Sequence, residues 1–155
     1  MRTTYCILLL LVSFSAWSQA LSTKSKRAIE LYLQADNYRV RGQYDQAESM
    51  LREAIKVDKN FEEAYFRLAQ VLDRKENSEG AIQNLEAGRA LAQANKWPVY
   101  EYELARLYLR KGDYERSLSM GESFLTHPGN ASQAQQMKVW VSQCRFAQEN
   151  MTSPA

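Results

Sequence analysis

A four-residue pattern that occurs twice sets the period of this chain. Residues 42–45 read Gly-Gln-Tyr-Asp, residues 112–115 read Gly-Asp-Tyr-Glu, and a basic residue precedes both. The 70 residues that separate them are two periods of 34 with two residues to spare. Ala35, Ala47 and Leu51 each meet an identical residue 34 positions further on. A fixed period of this length predicts similar structural units that stack on one another.

Each repeat unit has the spacing of two helices joined by a turn. The units are residues 28–61, 62–95 and 98–131, with residues 96–97 as an insertion. Within each unit, apolar side chains recur three and four residues apart, as on one face of an α-helix. The pattern is interrupted at Gly42, near residues 77–80 and at Gly112. Glycine suits such a turn because it adopts a positive φ without the penalty of a Cβ atom.

Small residues recur in the middle of each first helix and at the start of each second helix, which lets paired helices approach closely.

In period and pattern, these units resemble tetratricopeptide repeats (TPRs). The matching residues are Gly42, Tyr44, Ala47 and Ala54 in the first unit, with Gly112 and Tyr114 in the third. Glu76 replaces the turn glycine of the second unit, and Gly121 replaces a large apolar residue of the third. The resemblance implies an all-α solenoid of three helix-turn-helix repeats.

A stacked repeat leaves an apolar face open at its end, so a capping helix is expected. Residues 132–149 provide one, since their apolar residues form a single stripe. That stripe is Met137, Trp140, Val141, Cys144 and Ala147. A turn at residues 128–130 precedes it, and Ser132 is the predicted N-cap. We therefore expect a TPR domain over residues 21–149 and a flexible tail over residues 150–155.

The first 20 residues have the pattern of a secretory signal peptide. Arg2 is their one charged residue, and an apolar run follows from Ile7 to Trp17. This run is shorter than the roughly 20 residues that span a bilayer, and small residues follow it. We therefore expect cleavage after Ser18 or Ala20, with an uncleaved anchor as the alternative. Cys6 precedes the apolar run, which does not support lipidation.

The residue types of the chain do not favour an enzyme. It has one His, two Cys and none of the common nucleotide, metal or hydrolase motifs. His127 lies in a predicted turn, and the acidic pair Glu62-Glu63 is explained by the positive end of a helix dipole. We expect no catalytic residue, metal, cofactor or small-molecule substrate. The net charge of +2 also gives no basic surface for nucleic acid.

Removal of residues 1–20 would leave Cys144 as the single thiol, so packing rather than an internal disulfide must hold the fold. We expect Cys144 to be a small buried side chain, with pairing to a partner as the alternative.

The resemblance also implies a concave groove, because the first helices of successive TPRs line a surface that takes peptides. Positions equivalent by period carry an aromatic row and a basic row. The predicted groove residues are Tyr32, Asp36, Arg39, Phe66, Arg67, Gln70, Arg74, Tyr102, Arg106 and Arg110. Such a groove suits an extended peptide with acidic groups. The alternative is that the aromatics are core residues and the arginines are a solvated face.

One specialised TPR function is disfavoured. The carboxylate clamp of chaperone-binding TPRs needs Lys and Asn where this chain has Tyr32, Asp36 and Arg67. A co-chaperone of that type is therefore not expected.

The combination of a signal peptide, three TPRs and the ending Cys144-Arg145-Phe146-Ala147 resembles the front module of certain bacterial envelope proteins. Those proteins continue into a β-propeller and an OmpA-like domain, and some serve secretion or gliding machinery. The resemblance implies an exported, non-catalytic scaffold in the periplasm or at the outer membrane, as a complete module or the front of a longer protein. The alternative is a structural subunit anchored by an uncleaved residue 1–20 segment.

Overall fold

Seven α-helices and one short 3-10 turn form the part of the chain that the structure describes. The computed structural model describes residues 21–152, and the predicted signal peptide lies outside them. The helices are α1 (Lys26–Val40), α2 (Tyr44–Val57), α3 (Glu62–Arg74), α4 (Ser78–Leu91), α5 (Trp97–Lys111), α6 (Tyr114–Thr126) and α7 (Ala131–Thr152). No strand occurs among these residues. The prediction of an all-α fold is confirmed.

The helices pair as hairpins, and the hairpins stack. Helix α1 packs on α2, α3 on α4, and α5 on α6. The hairpins join where α2 packs on α3, here called the first junction, and where α4 packs on α5, the second junction. Helix α7 packs mainly on α6 and also touches α5. This arrangement is a TPR-like solenoid with α7 at its C-terminal end.

Small residues allow the two helices of each hairpin to approach closely. The small residues at the predicted contact positions are all buried: Ala35, Ala47, Ala69, Ala81, Ala105 and Ser117. Ser117 is the one polar member, and its hydroxyl donates a 2.9 Å hydrogen bond to the carbonyl of Ala105. That bond satisfies a group whose burial without a partner would destabilise the fold.

The hairpin turns share one backbone conformation. Gly42 and Gly112 have φ of +74° and +76°, and at Glu76 φ is +60°. A side chain at positive φ is disfavoured because its Cβ crowds the backbone. The second turn therefore keeps the shape of the other two without the residue that adopts it most easily.

The chain enters the first helix through a segment that is held against α3. The Ser25 hydroxyl accepts the backbone N–H of Ala28 and caps α1. Ser22 donates to the Glu63 carboxylate from both its backbone N–H, at 3.0 Å, and its hydroxyl, at 2.6 Å. Thr23 is buried and donates to Asp58. These bonds join the N-terminal segment to the first junction.

The insertion at residues 96–97 supplies polar contacts at the second junction. Lys96 Nζ donates to Glu62 at 2.8 Å and to Glu63 at 3.3 Å. The Tyr100 hydroxyl donates to Glu62 at 3.0 Å. Glu62 is only 6% exposed, so these donors compensate a nearly buried carboxylate. Its hydrogen bond also raises the pKa of Lys96 above the ordinary value.

Helix α7 closes the solenoid but is longer than the predicted 132–149. Asn130 Oδ1 accepts the backbone N–H of Gln133 at 2.9 Å, so Asn130 caps the helix instead of the predicted Ser132. At the other end the helix continues to Thr152, into the predicted tail, and residues 153–155 lie outside the described residues.

The inner face of α7 fits closely against α6. Met137, Val141 and Cys144 are buried there, which confirms the expected burial of Cys144. A Cβ atom on Gly121 would lie 2.8 Å from Val141 Cγ2, so the glycine leaves the space that α7 fills. Across residues 21–152, the structure contains no helix long and apolar enough to cross a bilayer.

Candidate functional site: the concave groove

An open groove runs along the first helices of the three hairpins. It has a volume of about 1040 Å³ and takes most of its lining from α1, α3 and α5. Seven of the ten predicted groove residues line it: Arg39, Arg67, Gln70, Arg74, Tyr102, Arg106 and Arg110. Tyr32, Asp36 and Phe66 are half-buried beside it.

The predicted aromatic row is largely engaged in packing between elements. Tyr32 packs on Phe61, with ring centroids 5.2 Å apart, and Phe66 packs edge-on against Tyr100 at 5.2 Å. Tyr102 contacts Phe124 of α6 and Trp140 of α7 at 5.5 and 5.1 Å. Of the three predicted aromatics, Tyr102 also lines the groove. The alternative of a mainly structural role therefore describes Tyr32 and Phe66 better.

In the N-terminal half of the groove, one carboxylate binds two arginines. Arg39 Nε donates to Asp36 at 2.8 Å, and Arg67 Nε lies 3.3 Å from the same oxygen. Arg67 also donates to Gln70 at 2.9 Å and to the Tyr32 hydroxyl at 3.3 Å. Asp36 thus links α1 to α3 across the first junction.

In the C-terminal half, Asp73 has the same arrangement. Arg106 donates to Asp73 at 2.7 Å and to Glu103 at 2.8 Å, and Arg110 also donates to Asp73. Arg110 makes a further 3.0 Å hydrogen bond to Ser78. Although burial opposes it, hydrogen bonding from the two arginines holds the pKa of Asp73 below its ordinary value. This carboxylate links α3 to α5 across the second junction.

Two charged groove residues stand outside these pairs. Arg74 ends α3 and Glu76 follows in the turn; both are exposed and both line the groove. Within residues 21–152, neither side chain forms an ion pair or a hydrogen bond, with the other or with a third residue. Val40, 72% exposed, and Tyr44 line the groove as well.

The groove differs from the predicted basic row because acidic residues alternate with the arginines. Five arginines line it together with three carboxylates. The predicted groove residues omit Asp73 and Val40 because one set of equivalent positions was aligned one residue out of register. A strict period of 34 aligns Arg39 with Asp73 and Val40 with Arg74, whereas the prediction aligned Arg39 with Arg74. The period itself was the signal that would have found both.

The other residues that the sequence analysis considered, Glu62, Glu63 and His127, form contacts within the fold. Glu62 and Glu63 open α3 and bind Lys96, Tyr100 and Ser22. His127 is exposed, and its Nδ1 lies 2.9 Å from the Thr126 hydroxyl. Over the described range, no three His, Cys, Asp or Glu side chains are grouped so as to hold a metal ion.

Comparison with known proteins supports the TPR fold. Residues 32–96 match the tetratricopeptide repeat family, a segment that covers most of the first hairpin and all of the second and reaches the insertion. No curated protein matches the sequence.

Solved structures of TPR type share the architecture at low sequence identity. The Yersinia enterocolitica type III secretion chaperone SycD, solved with a peptide of the translocator YopD, has a TM-score of 0.70 at 16% identity. The match covers 80% of this chain and 96% of that one.

Two further structures show a similar match. The first TPR of Spaghetti (RPAP3), bound to the HSP90 peptide SRMEEVD, gives a TM-score of 0.67 at 16% identity, over 86% and 100% of the two chains. PcrH, in complex with the chaperone binding region of PopD, gives a TM-score of 0.67 at 17% identity. That match covers 77% of this chain and 92% of the other. These likenesses establish a fold that other proteins use to bind peptides.

Proposed function

We propose that this chain is an exported, non-catalytic TPR scaffold of the bacterial cell envelope that holds an extended segment of another protein in its concave groove. Its setting is a secretion, motility or outer-membrane assembly. The observation that carries the proposal is the open groove of about 1040 Å³, lined by side chains from three successive hairpins. A groove of this size accepts an extended chain, whose side chains give the contact its specificity.

The comparisons support the binding part of this proposal. SycD, the Spaghetti TPR and PcrH were each solved with a peptide or a binding region of another protein. The export part rests on the signal-like residues 1–20. The envelope part rests on the resemblance to TPR modules that precede a β-propeller and an OmpA-like domain.

Site-specific crosslinking in the native host tests the binding surface. A photoreactive amino acid replaces Val40, which lines the groove and is 72% exposed, so the fold should tolerate the change. The matched control places the same photoreactive amino acid at Ala90, exposed on α4 and absent from the groove lining. We expect one protein to be captured from Val40 and not from Ala90. Capture from Ala90 alone would place the binding surface elsewhere.

Mass spectrometry of the chain purified from its host tests export. We expect the N-terminus at Gln19 or Leu21, after removal of the signal. An intact residue 1–20 segment in the membrane fraction would favour the anchored structural subunit instead.

A further inference from the structure

Almost every charge in the groove is neutralised within the molecule. Asp36 binds two arginines in the N-terminal half, and Asp73 and Glu103 bind two in the C-terminal half. Arg74 and Glu76 are the exceptions among the described lining residues. A partner that enters the groove therefore meets one unpaired cation and one unpaired anion, two residues apart in the chain.

The helix dipole does not by itself explain Arg74. A cation in the last turn of a helix is favoured by the partial negative charge there. Arg39 and Arg110 also lie in the last turns of α1 and α5, yet each is bound to an aspartate. Lys75, next to Arg74, also places a positive charge at the end of α3, and it binds Asp45. Arg74 keeps its guanidinium free in an otherwise paired surface.

Glu76 occupies its position against a backbone preference. Its φ is +60°, while the equivalent turns have Gly42 and Gly112. A Cβ on either glycine would meet nothing within 4 Å, so this turn has room for a side chain and disfavours it only through the backbone conformation. A disfavoured backbone conformation is often retained at a functional site. No other described residue uses the Glu76 carboxylate, which leaves it for a partner.

We infer that Arg74 and Glu76 form a dipolar anchor for a partner segment that carries an acidic and a basic residue within about two positions of each other. This inference rests on the proposed function. The Arg74 guanidinium offers a planar fork to a carboxylate, and Glu76 accepts an ammonium or guanidinium group. Val40 and Tyr44, on the same lining, provide apolar contact beside the two charges.

The dipolar anchor also disfavours partner segments that carry charges of one sign only. A purely acidic segment would place its carboxylates beside Glu76, and a purely basic one would face Arg74. Like charges brought together oppose binding, so each residue selects against the segment that the other attracts. The groove is therefore specific for a mixed sequence, not for the acidic peptide that its arginines alone predict.

Selection from a phage-displayed library of random 12-residue peptides tests this inference. The immobilised proteins are the purified full chain, Arg74→Gln, Glu76→Gln and the control Glu115→Gln, whose carboxylate is exposed on α6 outside the groove lining. We expect the wild type and the control to enrich peptides with neighbouring acidic and basic residues. Arg74→Gln should lose the acidic preference, and Glu76→Gln the basic one.

Affinity of one enriched peptide gives the size of each effect. Each single variant should weaken its binding by about two- to five-fold, as expected for a partly exposed charge contact. Enriched peptides without the charge pair, or equal binding by all four proteins, would overturn the inference and leave peptide binding by the groove intact. Failure to enrich any peptide would contradict the proposed function as well.

Glu76→Gly separates binding from backbone strain. This variant should raise the midpoint of thermal unfolding, because glycine adopts positive φ more easily, and should lose the basic preference. Glu76→Gln should lose the same preference with little change in that midpoint. If Glu76→Gly raises the midpoint and selects the same peptides as the wild type, Glu76 is only a strained turn residue and the inference is wrong.

Discussion

The two junctions between hairpins occupy equivalent places in the repeat but are built differently. At the first junction, the period places two buried alanines, Ala54 and Ala64, on α2 and α3. At the second, the equivalent positions on α4 and α5 are Gly88 and Tyr100, also buried. A Cβ on Gly88 would lie 2.9 Å from the Tyr100 ring, so the lost methyl group makes room for the tyrosine. A large side chain is accommodated by a matched loss of volume across the contact.

The insertion explains why the second junction is the exception. Lys96 and Tyr100 both bind Glu62, one from the insertion and the other from the first turns of α5. The two extra residues thus supply a donor for the carboxylate that the tyrosine reaches. The first junction keeps the regular period and is joined instead by the N-terminal segment, through Ser22 and Thr23. Similar units can therefore stack through apolar fit or through a polar network.

The largest effect should come from Tyr100→Ala, which removes a side chain that is 2% exposed. We expect the free energy of unfolding to fall by about 3–5 kcal/mol, as for other large aromatic truncations. Urea unfolding followed by circular dichroism measures it. Ala64→Gly, at the equivalent place in the first junction, should lower the free energy of unfolding by about 1 kcal/mol. Equal losses in the two variants would show that the junctions do not differ in this way.

Gly88→Ala should lower the free energy of unfolding by about 1–3 kcal/mol, because the new methyl group meets Tyr100. This loss is opposite in sign to the usual gain of about 1 kcal/mol from alanine in a helix. In a Tyr100→Leu background, the same change should be neutral or stabilising. A double-mutant cycle measured by urea unfolding tests this coupling, and additivity of the two changes would refute it.

Lys96→Met should lower the free energy of unfolding by about 1–2 kcal/mol, because it removes one hydrogen-bond donor from the nearly buried Glu62. The Tyr100 hydroxyl remains as the other donor. The matched control is Lys59→Met, an exposed lysine in the turn of the first junction. It should change stability by less than about 0.5 kcal/mol. Thermal unfolding compares the two, and a control as destabilised as Lys96→Met would argue against a special role for the insertion.

The smallest effect should appear in acid, at the groove side of the second junction. The folded-state pKa of Asp73 lies below its ordinary 3.8, so its stabilising contribution is present above that pH. It is lost as pH falls through the lower folded value. We expect the free energy of unfolding of the wild type to exceed that of Asp73→Asn by about 1 kcal/mol or less at neutral pH. The two values should converge in strong acid. Denaturation at several pH values checks this, and a difference that persists in strong acid would contradict it.

Much of the fold could be predicted because its signals are local and repeated. Gly42 and Gly112 mark turns by their backbone freedom, and Ala35 and Ala69 mark helix contacts by their size. Each signal occurs again one or two periods on, so a doubtful copy is supported by the others. The start of α7 was missed because it has no such copy. Both Asn130 and Ser132 can cap a helix, and the choice depends on which side chain reaches a free N–H.

The groove was less predictable because its chemistry depends on pairs. The period placed the arginines on the correct side, but Asp36 and Asp73 also bind arginines of a neighbouring hairpin. A row of equivalent positions does not reveal these pairs. The alignment of Arg39 with Arg74 also concealed Val40. Pairing between hairpins depends on two distant segments, whereas helix and turn signals belong to one.

Burial of Cys144 makes its thiol a probe for the opening of α7. Hairpins in a solenoid contact only their neighbours, so the last helix can detach while the rest stays folded. Cys144 is fully buried while α7 is in place, and α7 packs on α6 and α5. A thiol reagent can modify it only during the intervals when α7 is open. The labelling rate of this residue therefore measures how often the C-terminal end of the solenoid comes apart.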